Sequence, residues 1–160
     1  MDASLCREHL EKLLIEENDA LHRLTKLLAQ EHETIVANDV DALERTGTAR
    51  QSCVGDLLRI EEERRSLCRM LNFAADPAGL DALLKWCDPK MTVRRRWQEC
   101  LTLATECRDL NERNGMLVAA RLKRVEGLLS VVTGRSKEKN LYSAKGRQVS
   151  YSNGNVFAQA

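Results

Sequence analysis

The apolar positions of the chain fall into helical rhythms separated by short breaks. Leu14, Leu21, Leu28 and Ile35 recur every seven residues, and Leu10, Leu13, Leu24 and Leu27 widen that line into a face. Such a face suits a helix buried along one side, from Ser4 to about Ala37. Asn38-Asp39 interrupts the rhythm, and Asp39 or Asp41 can cap the next helix. That second helix carries Val40, Leu43, Val54, Leu57, Ile60, Leu67 and Leu71 and ends near Phe73. Its middle, Arg45 to Gly55, is poor in apolar residues and contains Gly47 and Gly55, which predicts a weaker packing stretch. Asp76-Pro77-Ala78-Gly79 reads as a turn, with Pro77 opening a short helix that bears Leu80, Leu83, Leu84 and Trp86. After a second break at Asp88-Pro89, a third long helix runs from roughly Lys90 to Thr133, and Gly134 is a natural stop.

Three long helices joined by short connections imply antiparallel neighbours. The expected fold is therefore all-α: an antiparallel bundle of three long helices plus one short helix, with a flexible C-terminal tail. Residues 1–134 form the bundle domain in this reading. Residues 135–160 carry five Lys/Arg against Glu138 alone, are rich in Ser, Asn and Gly, and show no sustained period. They read as a flexible, basic docking tail. Tyr142, Tyr151 and Phe157, half of the six aromatics, lie there. They fit a docking segment or a tail packed back on its own bundle.

Composition removes several function classes. The formal net charge of +1 gives no bulk attraction to nucleic acid or membrane. No stretch is apolar enough to span a bilayer, and Met1-Asp2-Ala3-Ser4 does not begin a secretory signal. Cys6, Cys53, Cys68, Cys87, Cys100 and Cys107 lie in helical patterns and read as reduced packing residues. A di-iron bundle needs Glu-x-x-His on two helices, and only Asp19-x-x-His22 occurs. Cys100 and Cys107 stand two turns, about 10 Å, apart, too far for one zinc ion. His9, His22 and His32 are spread along the first helix, and no phosphate loop or nucleophile constellation is present. No enzyme, metal or cofactor is expected. Arg94-Arg95-Arg96 beside Trp97 could touch a phosphate backbone, but consecutive helical residues splay over different faces, so nucleic acid is not an expected partner. Glu61-Glu62-Glu63 followed by Arg64-Arg65 fits pairing within one exposed helix face.

Two motifs remain. Leu110-Asn111-Glu112-Arg113-Asn114-Gly115 lies inside the third long helical pattern, where two asparagines and a glycine are costly. Either two helices approach closely at Gly115, or Asn111 and Asn114 fix pairing and register. Leu141-Tyr142-Ser143-Ala144-Lys145-Gly146-Arg147 opens the tail. With these motifs in this order, the layout resembles the FlgN family of flagellar export chaperones. The resemblance implies a cytoplasmic, non-enzymatic chaperone that holds hook–filament junction (hook-associated) subunits and delivers them to the type III export gate. It places substrate binding in the carboxy-terminal part and implies that Tyr142, with Leu141 beside it, docks on the gate's cytoplasmic domain. Leu110, Asn111, Asn114 and Gly115 carry the family's helix motif, as substrate contacts or as packing support.

Helix-in-groove recognition would need an apolar stripe at helical spacing. Leu117, Val118, Leu122, Val125, Leu128, Leu129 and Val132 supply it. The competing expectation is that the other helices bury this stripe as core. A structural or regulatory coiled-coil module that self-associates through the same heptads is the alternative function, and it leaves a homo-oligomer open.

Overall fold

The computed structural model describes residues 1–134. Its four helices are, in order, α1 (Ala3–Ala37), α2 (Val40–Met70), α3 (Pro77–Cys87) and α4 (Thr92–Val132). Among the described residues there is no strand. The chain divides into two units, Met1–Asn111 and a second beginning at Glu112, with the boundary inside α4. The tail reading of 135–160, including Leu141 and Tyr142, lies outside the described residues.

Helix boundaries reflect local chemistry. The Asp2 and Asp39 carboxylates accept from the Leu5 and Ala42 amides at 2.8 and 3.0 Å, capping α1 and α2. Asn38 ends α1 in the left-handed region, φ 58°, where its amide reaches back to the Ile35 carbonyl. Asp76 caps α3 through the Gly79 amide at 2.7 Å, with Pro77 at the helix start. A Cβ on Gly79 would lie 1.8 Å from the Ala74 carbonyl oxygen, so glycine is required by the close approach of this turn. Asp88, read from sequence only as a break, is buried and does more. Its carboxylate accepts from the Thr92 amide (3.2 Å), the Thr92 hydroxyl (3.1 Å) and the Arg94 amide (2.9 Å), covering the first amides of α4. Gly134, at φ 59°, lies just past the last turn of α4.

In the first unit α1 is the shared partner. Cys53 Sγ donates to the Ala20 carbonyl, while Arg50 pairs with Glu31 and Arg59 with Glu16. Residue numbers fall along α1 as they rise along α2, so the two are antiparallel. Cys100 Sγ and Cys107 Sγ lie 3.6 Å from the Leu14 and Leu21 carbonyls. Equal seven-residue steps on both helices mean that α4 runs parallel to α1 here. Consecutive long helices are antiparallel, as short connections require, and α3 turns the chain between α2 and α4. The core joins Leu10, Leu14, Leu21, Leu24 and Leu28 of α1 to Cys53 and Leu67, to Leu80, Leu83 and Leu84, and to Val93, Cys100 and Cys107. Each fully buried leucine contributes about 1.5–3 kcal/mol. The first third of α2 buries nothing before Cys53, in line with its sparse apolar content.

All six cysteines are buried thiols. Removal from water raises every one of them above the ordinary 9.0, Cys6 and Cys100 to about 12. They act as small apolar residues with a weak donor, which lets helices approach.

Three expected outcomes rest on these local environments. Between pH 9 and 12 folded thiols keep protons that unfolded ones lose, so the native state binds more protons and stability falls as pH rises. A melting series over that range should show the decline, less steep in Cys100→Ala; identical slopes would contradict the assignment. Gly79→Ala should cost about 1–3 kcal/mol through its clash. Gly115→Ala, where an added Cβ meets open space, should gain about 0.5–1 kcal/mol in urea titrations.

Candidate binding surface on the last helix

Beyond Asn111, α4 continues through Ala119-Ala120-Arg121-Leu122-Lys123-Arg124, residues that lose little on entering a helix. At about 100° per residue, Val118, Leu122, Val125, Leu129 and Val132 project within an arc of ~80°. Leu117 and Leu128 sit together on one shoulder of that arc. Leu117 is half-buried and the other six are exposed, from 47% at Val118 to 81% at Val132. The expected stripe is thus present and open to solvent, and the expectation that it is core does not hold for these six. Met116 and Val131 are exposed as well, at 64% and 80%, but point away from the arc.

The Leu110–Gly115 motif divides by residue. Leu110 is half-buried and packs on the core of the first unit. Asn111 is half-buried, Asn114 is 2% exposed, and Glu112, Arg113 and Gly115 are exposed. Among the described residues nothing lies within 4 Å of a Cβ placed on Gly115. Val93, Cys100, Cys107 and Asn114 stand seven residues apart and all are buried.

The remaining candidates are placed away from this surface. His9, His22 and Asp19 are exposed and His32 is half-buried. Among the described residues no group of three or more His, Cys, Asp or Glu could hold a metal ion. Among them also, no helix is long and apolar enough to cross a membrane. The basic triplet is divided: Arg94 pairs with Asp81, Arg95 is exposed, and Arg96 is half-buried. Hydrogen bonding from Lys85, then the Arg94 charge, holds the Asp81 carboxyl below its ordinary range. Arg65 pairs with Glu61 at 2.8 Å within α2, as expected, whereas Arg64 leaves its own helix. Its guanidinium pairs with Glu17 of α1 and lies 4.4 Å from the Trp97 ring centre. Burial pushes the Glu17 carboxyl up, against the pull of Arg64.

A model of the family described as FlgN protein matches residues 1–150. No curated protein and no solved structure matches the chain.

Exchange of exposed residues is inexpensive where exchange of core is not. Leu122→Gln with Leu129→Gln should change the unfolding free energy by no more than about 0.5 kcal/mol per site. Buried leucines would cost about 2–5 kcal/mol each when truncated, so chemical denaturation separates an open stripe from a covered one.

Proposed function

Because this chain belongs to the FlgN family of flagellar export chaperones, we propose that it binds hook-associated subunits through the distal stripe of α4 and delivers them to the type III export gate. The carrying observation is that six of the seven stripe residues are exposed on a formed helix. An exported filament-type subunit presents amphipathic terminal segments that would assemble or aggregate if left bare. An apolar stripe at helical spacing can take up such a segment as helix-in-groove. The reading places the protein in the cytoplasm, without catalysis, and assigns Leu141 and Tyr142 to gate docking.

Five aliphatic partner side chains buried at about 1.5–3 kcal/mol each supply roughly 8–15 kcal/mol gross. Ordering an unfolded ligand removes about 2–5 kcal/mol, and association at least about 4 kcal/mol. The remainder runs from very weak to sub-micromolar binding, a range compatible with capture and release.

The test is calorimetric binding of a purified hook-associated subunit to the full chain. Leu122→Asp with Leu129→Asp should weaken it by at least about a hundredfold, since two buried leucines are lost. Unchanged affinity rejects the stripe. Tyr142→Ala should leave subunit binding intact and impair capture by the gate's cytoplasmic domain; loss of subunit binding instead would reject the division of labour.

A further inference from the structure

The short helix α3 is the most apolar of the four, and the bundle covers only one side of it. Gly79, Leu80, Leu83, Leu84 and Cys87 are buried. On the opposite side Ala78, Ala82 and Trp86 are exposed, Trp86 to 45%. Steps of four residues keep these three within an arc of about 80° and make them one ridge. Phe73, in the turn before the helix, sets its ring 6.2 Å from that of Trp86, tilted by 42°. The indole is thus held by a neighbouring ring while nearly half of it meets water. A tryptophan fixed in this way gives up little freedom on contact, and it is the residue type that most often anchors protein interfaces.

Size and charge along the ridge specify its occupant. The order is small, small, large, with Ala82 at the centre. A second copy crossing antiparallel at Ala82 would lay each Trp86 over the partner's Ala78, large against small. Alanine would meet alanine where the two backbones come closest. Ridges of four-residue spacing that interlock in this way give the commonest helix crossing, near −50°. The only charged residues of α3 are Asp81 and Lys85, on the flank of the ridge. They pair with each other at 2.9 Å, and Asp81 also pairs with Arg94. These charges are met within one copy, so an identical surface can approach without strong like-charge repulsion, and a strongly charged partner of either sign would find little to pair with. We propose that α3 is a self-association surface, on which two copies of the chain pack antiparallel through Ala78, Ala82 and Trp86 in an isologous two-fold contact. The proposal is independent of the function assigned to the last helix. A helix of 11 residues falls short of the ~800 Å² per partner of a standard interface, so the dimer is a weak one, with a dissociation constant on the order of 10–100 μM.

The experiment is sedimentation of the full chain under reducing conditions, from well below to well above that concentration range. A monomer–dimer equilibrium is expected. Trp86→Ala should weaken it at least about tenfold. Ala82→Arg, which sets two like charges on the two-fold axis, should abolish it. Both positions are exposed, so the helical circular-dichroism signal should be kept, which separates lost association from lost folding. Ala82→Cys should also cross-link copy to copy when treated with diamide, two thiols forming one disulfide as the diamide is reduced to its hydrazine. Gln98→Cys, at an exposed position of α4, should not. A monomer at every concentration would overturn the proposal. So would a dimer that survives Ala82→Arg, and its loss in Leu122→Gln with Leu129→Gln would assign the contact to the last helix instead. A monomeric chain whose capture of a hook-associated subunit is lost in Trp86→Ala would make the ridge a subunit contact and overturn self-association, leaving the chaperone reading in place. A dimer lost in Ala82→Arg, with no subunit captured by either form, would keep this inference and remove that reading.

Discussion

The first unit depends on the leucine line of α1 serving three partners at once. Leu14 and Leu21 meet Cys100 and Cys107 at equal seven-residue steps, while Ala20 meets Cys53 across the other side of the helix. Small residues at these crossings let backbones come near enough for a thiol to reach a carbonyl of the next helix. Larger side chains there would force the helices apart and open voids beside the leucines, which close-packed interiors do not tolerate cheaply. The same enclosure removes the thiols from water and raises their pKa values. Unusual cysteine content, helix spacing and inert thiols are thus three results of one packing arrangement.

Charged residues have a different task. Most ion pairs, such as Arg59 with Glu16 and Glu63, lie on the surface and contribute little energy. Arg59–Glu16 and Arg23–Asp56 link α2 to α1 across the surface. Arg50 with the buried Glu31 is set deeper, as is Arg64, held between the part-buried Glu17 carboxylate and the Trp97 ring. Removing one member of that trio would leave a poorly solvated charge, so it fixes the three long helices relative to one another in the first unit.

Past Asn111 the logic of α4 changes while its helical form does not. The residues that would build a core in the first unit here face solvent, alongside a basic rather than an acidic balance. A helix with an uncovered apolar side is poorly stabilised by its own contacts. On the function proposed above, a bound guest would complete the stabilisation and couple capture to ordering of the helix. Membership of a chaperone family and an open apolar helix point in the same physical direction.

Local chemistry alone specified the four helices. Seven-residue leucine spacing defined α1, Asp39 or Asp41 and then Pro77 marked the starts of α2 and α3, Gly134 marked the end of α4, and the sparse stretch before Cys53 was visible in composition. These features depend on neighbours within one turn, which the sequence displays directly. Other features needed the packed chain. Arg64 pairing across to Glu17 and the Cys100 thiol against the Leu14 carbonyl depend on residues brought together from distant positions. The same holds for the stripe. Leu10 to Ile35 and Leu117 to Val132 share one periodicity, yet the first is sealed and six of the seven residues of the second are exposed. Periodicity reveals that a helix has an apolar face; only the arrangement of the other helices decides whether anything covers it.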